Sequence, residues 1–139
     1  AVGDALLDAA LNNEEKARRM IVEWSYAPMG HIGNNQKVPG TWLPGNSMAL
    51  MRRMTKGVLR NDLAACKAYL GGLDAAAKVE APSLVVIGER DMMTPPKAAQ
   101  AALGALRNAR AETIRHAGHN MTVEAPDAVL RALWKFANA

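Results

Sequence analysis

This 139-residue sequence contains one cysteine and few aromatic residues. The one cysteine, Cys66, excludes an internal disulfide and a zinc site built from several cysteines. Its neighbours at helical spacing, Ala64, Ala65 and Ala68, predict a small buried thiol. Aromatic side chains make up only 4% of the residues, so leucine and the eight methionines carry much of the apolar volume.

Long apolar runs and concentrated positive charge are also absent. No stretch is long and apolar enough for a bilayer span, and no signal peptide is visible, so we expect a cytoplasmic protein with no membrane partner. The net charge is +4, but the basic residues are scattered and do not alternate with stacking aromatics, so we expect no nucleic-acid partner. The first residue is not Met, which indicates a chain that was processed, trimmed or cut from a longer one.

The pattern of the chain changes near residue 80. Before it, the spacing predicts helices over residues 4–11, 14–24, 47–59 and 61–70. Asn12 or Asn13 is expected to cap the second of these helices, and Asp74 a further short turn. The stretch 27–47 is rich in proline and glycine and predicts a long irregular segment.

After residue 80 the pattern predicts strand, helix, strand, helix. The apolar run 83–88 is the first strand, Thr94 is expected to cap the next helix with Pro95 at its first position, and 112–115 is the second strand. The last helix opens at Pro126 with an apolar stripe: Val129, Leu130, Leu133, Trp134 and Ala137. The predicted fold class is therefore α/β, a helical segment followed by a β-α-β-α unit from an incomplete parallel sheet.

Two side chains with acid–base chemistry follow the two predicted strands. Asp91 lies in the loop after the first strand and His119 in the loop after the second. Adjacent parallel strands bring such loops to the same edge of the sheet. The carboxylate is then expected to hold one ring nitrogen and to leave the other as a general base.

Nearby residues offer alternatives to this pair. His116 competes with His119 as the base, although we expect it to end the strand or to face solvent, and Glu89 competes with Asp91 as the acid. The spacing His116-x-x-His119 also fits a metal pair, but neither a cysteine nor a clear third ligand supports it, so no metal is expected. Asp91 could instead cap a helix, a role that the pattern gives to Thr94.

These motifs resemble the C-terminal portion of the α/β-hydrolase fold superfamily. That family carries its acid in a G-x-x-D loop, its base in a G-H step, and an E-x-P before the last helix. The matching residues are Gly88 to Asp91, Gly118 with His119, and Glu124 with Pro126. The resemblance covers about residues 80–137 of the C-terminal core segment, 80–139, and residues 1–79 resemble the helical cap, or lid, that many members insert before these strands.

The resemblance implies a Ser-type catalytic triad to which this chain gives Asp91 as the acid and His119 as the base. No metal or organic cofactor is implied, and the substrate is expected to be ester-like or another small apolar molecule. The nucleophile of the family lies on a G-x-S-x-G elbow, which this sequence lacks, because none of Ser25, Ser47 and Ser83 has both flanking glycines. We therefore expect the part that carries the nucleophile to be missing and the chain alone to be inactive.

Five residues are candidates for substrate binding from the lid or the acid loop: Trp24, His31, Trp42, Met51 and Met93. Core packing is the alternative for the tryptophans and for the Met-rich helix, and an ordinary loop position is the alternative for His31. A function of another class is a non-catalytic binding or self-assembly module. In that case the edge of the incomplete sheet would bind the missing part of the fold or a second copy of the chain.

Overall fold

The computed structural model describes residues 2–28 and 40–139. Among these residues, five helices precede the sheet: α1 (Asp4–Asn12), α2 (Glu14–Ser25), α3 (Leu43–Met51), α4 (Val58–Ala68) and α5 (Gly72–Ala76). The sheet and its helices follow: β1 (Ser83–Gly88), α6 (Pro96–Ala105), β2 (Ala109–Ile114), α7 (Met121–Glu124) and α8 (Pro126–Ala137). Within these residues, no helix is both long and apolar enough to cross a membrane.

Helices α1 and α2 form as the sequence predicts. The side chain of Asn13 accepts a hydrogen bond from the amide of Lys16 and so caps α2, whose first turn begins with Glu14 and Glu15. The helical half is held by one apolar cluster with these buried members: Leu6, Ala9, Ala10, Ala17 and Leu59. Because these side chains come from α1, α2 and α4, the cluster ties the start of the chain to its fourth helix.

The predicted boundaries of α3 and α4 are wrong. Instead of one helix over 47–59 and another from Asn61, α3 ends at Met51 and α4 begins at Val58. Gly57 has a φ of 88°, a left-handed conformation that ends helical continuity and favours glycine. The irregular segment predicted over 27–47 is also too long at its end, because α3 begins at Leu43 with Pro44 in its first turn.

Two smaller predictions in the helical half are corrected as well. Cys66 is exposed rather than buried, because the apolar cluster contacts α4 at Leu59 and Leu63 and does not include Cys66. Asp74 lies within the first turn of α5, and Gly71 is the residue at the N-cap position, with no capping bond from a side chain.

The two strands pair in parallel, which confirms the predicted α/β class with a small, incomplete sheet. Their register runs from Ser83 opposite Ala109 to Gly88 opposite Ile114. Strand β2 begins three residues before the predicted start at 112 and ends at Ile114. Its exposed residues from 110 to 113 lack the apolar run that would have marked the start of the strand.

Helix α8 buries only Val129 of the predicted apolar stripe. Val129 and Ala132 lie in the apolar cluster beside β2, together with Ile114 and Ala117. The predicted stripe instead leaves its large members exposed: Leu130, Leu133 and Trp134, whose exposure reaches 70% at Trp134. Helix α8 therefore packs on the sheet through small side chains and turns its large apolar ones outward.

Candidate active site

The loops after β1 and β2 are joined by backbone hydrogen bonds. The amide of Glu89 donates to Ile114 at 3.0 Å, and the amide of Arg90 donates to Ala117 at 2.9 Å. Gly88 makes this closeness possible, because a Cβ at this position would overlap the backbone of Gly118. The loop that carries Asp91 and the loop that carries His119 are thus fixed side by side.

Asp91 is buried, with only 6% of its surface exposed, and both of its carboxylate oxygens accept hydrogen bonds. Oδ1 accepts from the backbone amides of Met93 and Thr94, each at 2.8 Å. Oδ2 accepts from the Thr94 hydroxyl at 2.8 Å and lies 2.9 Å from Nδ1 of His119. The carboxylate is therefore held in one orientation by its own loop and presents Oδ2 to the imidazole.

The pKa of Asp91 lies below its usual value. Burial by itself raises this pKa, but the hydrogen bonds from the Thr94 amide, the His119 ring and the Thr94 hydroxyl lower it further than burial raises it. The positive charge that His119 carries when protonated acts in the same direction. Asp91 is therefore an anion at neutral pH, as a partner for an imidazolium must be.

The orientation of the His119 ring follows from this anion. An ionised carboxylate only accepts hydrogen bonds, so Nδ1 at 2.9 Å from Oδ2 carries the proton. In the neutral ring Nε2 then has the free lone pair, which is what a general base needs. The side chain of His119 is 40% exposed, so the ring can be reached from outside while Asp91 cannot.

The two alternative residues form a separate pair. The backbone amide of His116 donates to Glu89 Oε2 at 2.8 Å, and Nδ1 of the His116 ring lies 3.7 Å from the same oxygen. The bond from the His116 amide is the main cause that lowers the pKa of Glu89, ahead of burial, which raises it. His116 has a left-handed φ of 60° just beyond β2, and its side chain is 71% exposed. No group of three or more His, Cys, Asp or Glu side chains arranged to hold a metal ion occurs within residues 2–28 and 40–139.

The loop of His119 is anchored to the end of α2 by a carboxylate. Glu124 accepts hydrogen bonds from the amide of Gly118 at 2.7 Å and from the amide of Ala27 at 2.8 Å. The amide of Asn120 donates to the carbonyl of Ser25 at 2.8 Å. The sequence pattern singled out Glu124 as part of E-x-P without assigning it this contact, because a bond across 97 residues leaves no local signal.

Met93 is the predicted substrate residue that the structure places beside the acid loop. Its amide bonds to Asp91, and its sulfur lies 3.1 Å from the hydroxyl of Ser25. That hydroxyl also donates to the carbonyl of Ile21 at 2.7 Å, and Ser25 is buried. The Ser25 hydroxyl therefore bonds within its own helix and contacts the sulfur of Met93.

The other predicted substrate residues lie elsewhere. Trp24 and Met51 pack against the apolar cluster of the helical half. Trp42 is mostly exposed and its ring covers Gly45, while His31 lies outside the described residues. A role in substrate binding remains a prediction for all five residues.

Thr94 is the residue of this site that sequence reasoning misassigned. Helix α6 begins at Pro96, and Pro95 occupies the N-cap position without a capping bond from its side chain. Thr94 instead directs its hydroxyl at Asp91, and Asp91 uses its carboxylate to hold the amides of its own loop. The local spacing Asp91-x-x-Thr94 allows either role, because a threonine hydroxyl can cap a helix or donate to a carboxylate three residues earlier.

Comparison with known proteins agrees with this architecture. The family model described as TAP-like protein matches residues 70–136. No curated protein matches the sequence.

Solved structures share the fold along nearly the whole chain. An esterase from Exiguobacterium antarcticum superposes with a TM-score of 0.79 at 15% identity, over 98% of this chain and 47% of its own. A bromoperoxidase from Bacillus anthracis superposes with a TM-score of 0.81 at 12% identity, over 98% of this chain and 48% of its own. An enol-lactonase from Burkholderia xenovorans LB400 superposes with a TM-score of 0.79 at 16% identity, over 97% of this chain and 49% of its own.

The chain thus spans about half the length of these structures. At such identities the likeness shows the fold alone, and it includes the helical half as well as the two strands. This chain has the fold of the C-terminal portion of the α/β-hydrolase superfamily.

Proposed function

We propose that this chain supplies the acid and the general base of a serine-hydrolase triad that acts on ester-like or other small apolar substrates. The observation that carries the proposal is the 2.9 Å contact between Nδ1 of His119 and the buried carboxylate of Asp91. Nε2 of His119 removes the proton from a serine hydroxyl as the serine attacks the substrate carbonyl. Asp91 stabilises the imidazolium that forms, and His119 then returns the proton to the leaving group.

The nucleophile of this proposal comes from a polypeptide segment outside the 139 residues. Two observations support this: the sequence has no G-x-S-x-G elbow, and the structures of similar fold are about twice as long. An esterase and an enol-lactonase among those structures favour a substrate with an ester-type carbonyl. Without the nucleophile and the oxyanion hole, these residues alone turn over no ester by this mechanism.

The surface of the chain supports a macromolecular partner in addition to the small-molecule substrate. The described sheet has only two strands, and α8 exposes the side chains of Leu130, Leu133 and Trp134. Apolar side chains grouped on one face favour cover by another polypeptide, either the remainder of the fold or a second copy of the chain. The second candidate function follows from the same surface: a non-catalytic module that assembles through it.

Ester hydrolysis by a polypeptide that carries both this chain and its nucleophile segment tests the proposal. With p-nitrophenyl esters, we expect His119→Ala to lower kcat/KM by roughly 100-fold or more, because a positioned general base contributes at least that factor. His116→Ala is the matched control and leaves kcat/KM within about twofold, since His116 pairs with the exposed Glu89. Equal activities of the His119→Ala variant and the parent protein would exclude the catalytic role.

The assembly module is distinguished by a different result. It predicts a defined oligomer of the 139-residue chain in sedimentation velocity and no hydrolysis by any form of the protein.

A further inference from the structure

We propose that Thr94 is a positioning residue for the pair of Asp91 and His119, because its hydroxyl completes a hydrogen-bonded triangle with the carboxylate and the imidazole. Oγ1 lies 2.8 Å from Asp91 Oδ2 and 3.1 Å from His119 Nδ1, and Nδ1 lies 2.9 Å from Oδ2. All three sides of the triangle are hydrogen-bond distances. This inference rests on the proposed function, in which His119 is the base.

Only one arrangement of protons gives favourable hydrogen bonds to all three atoms, Oγ1 of Thr94, Oδ2 of Asp91 and Nδ1 of His119. Asp91 is ionised, so the Thr94 hydroxyl donates its proton to Oδ2. The lone pairs of Oγ1 then face Nδ1, which must itself carry a proton, because an unprotonated Nδ1 would set its lone pair against the carboxylate. The Nδ1–H is shared between Oδ2 and Oγ1, and Nε2 remains without a proton, ready to act as base.

Thr94 also fixes the carboxylate itself. Its backbone amide donates to Oδ1 and its hydroxyl donates to Oδ2, so one residue holds both oxygens of Asp91. A rotation of the carboxylate breaks at least one of these bonds. The backbone of Thr94 is in turn restricted by the proline that follows it, Pro95, which disfavours helical conformations of the preceding residue.

The hydroxyl is available for this role because it does not cap α6. Helix α6 begins two residues later, at Pro96, and its N-cap residue, Pro95, makes no capping bond through its side chain. A proline in the first turn lacks the amide proton that a cap would satisfy. The Pro95-Pro96 pair thus starts the helix without the hydroxyl, and Thr94 directs it to Asp91.

Three substitutions separate the hydroxyl from the shape of the side chain. Thr94→Ser keeps the hydroxyl, Thr94→Val keeps the shape without the hydroxyl, and Thr94→Ala keeps neither. NMR of the 139-residue chain follows the Asp91 carboxyl carbon through an acid titration and the ring nitrogens of His119 at about pH 9, where an imidazole is neutral. Amide spectra of each variant check that the fold is retained.

We expect the Thr94→Ser variant to have the same Asp91 pKa and the same His119 tautomer as the wild type. The Thr94→Val and Thr94→Ala variants should resemble each other in both properties. In the latter two the pKa of Asp91 rises, because one donor to its carboxylate is gone, and the Nδ1–H form of His119 loses population. If Asp91 titrates and the His119 tautomer is populated in the Val and Ala variants as in the wild type, the proposal is overturned. A Ser variant that behaves like Val also overturns it, because the methyl group would then be responsible. If the Val variant does not fold, the comparison of Ser with Ala decides.

Catalysis gives an independent readout. In the polypeptide that carries the nucleophile, we expect Thr94→Val to lower kcat roughly fivefold with KM unchanged, as for the loss of one hydrogen bond around the base. Thr94→Ser restores the rate. If no form of the protein hydrolyses esters, the proposed function fails, while the titration still decides whether Thr94 holds the pair.

Discussion

At the scale of single residues, the buried carboxylate of Asp91 links the site to stability. Its pKa is lower in the folded chain than the value of about 3.9 that an aspartate has when unfolded. Ionised Asp91 therefore stabilises the fold at all pH values well above 4, and this contribution disappears as the pH falls through the folded-state pKa.

We expect Asp91→Asn to remove that pH dependence. The free energy of unfolding, measured by urea denaturation from pH 7 down to pH 3, should fall less steeply below about pH 4 in the variant than in the wild type. Asp62→Asn, at an exposed position of α4, is the control. Parallel curves for wild type and Asp91→Asn would contradict the stabilising role of the carboxylate.

Gly88 is the residue whose lack of a side chain lets the loops of Asp91 and His119 meet. We expect Gly88→Ala to lower the free energy of unfolding by roughly 2 kcal/mol or more, because the added Cβ meets backbone atoms that cannot move aside. Gly104→Ala is the matched control, since open space surrounds Gly104 in α6, and we expect it to raise stability by about 0.4–1 kcal/mol. Thermal and urea unfolding measure the stability of both variants. Similar stabilities of Gly88→Ala and Gly104→Ala would contradict the close contact between Gly88 and the backbone of Gly118.

At the scale of elements, the carboxylate of Glu124 joins the end of α2 to the loop before α7. We expect Glu124→Gln to cost about 1–3 kcal/mol of stability, because a glutamine has one acceptor oxygen for the two amides, of Ala27 and Gly118. Glu112→Gln, on an exposed position of β2, should cost less than about 0.5 kcal/mol. Hydrogen exchange should quicken most at the amides of Ala27 and Gly118, and unchanged exchange there would contradict the anchor.

The elements also show what the sequence can and cannot predict. Apolar β1 and the helices α1 and α2 carry strong local signals and were predicted. The break between α3 and α4 was not, because it depends on the conformation of Gly57, which a methionine pattern does not reveal. In the site, Asp91 and His119 were identified because each follows a strand. Thr94 and Glu124 each also contact a residue distant in sequence, His119 and Ala27 respectively, and local spacing does not encode those contacts.

At the scale of the whole molecule, α8 is the element that turns large apolar side chains toward the exposed surface. Leu130, Leu133 and Trp134 form an apolar face that the described residues leave exposed. The buried face of the same helix uses Val129 and Ala132. Such a helix fits a polypeptide that is covered by a partner on its outer side.

Two substitutions in α8 test this interpretation. We expect Trp134→Glu to leave the free energy of unfolding of the isolated chain within about 0.5 kcal/mol, because the side chain is exposed. It should at the same time weaken association with the remainder of the fold, or self-association, in sedimentation velocity. Val129→Ala should cost about 1–2 kcal/mol, because it empties space in the core. A Trp134→Glu variant that unfolds as readily as Val129→Ala would show that Trp134 is already packed in this chain.

A double-mutant cycle tests whether Asp91 and His119 act as one catalytic unit. In the polypeptide that carries the nucleophile, kcat/KM for an ester is measured for Asp91→Asn, His119→Ala and the double variant. Because Asp91 works only through His119, we predict that the double variant is no slower than His119→Ala alone. Losses that multiply, so that the double variant is slower by the product of the two single effects, would contradict the pairing.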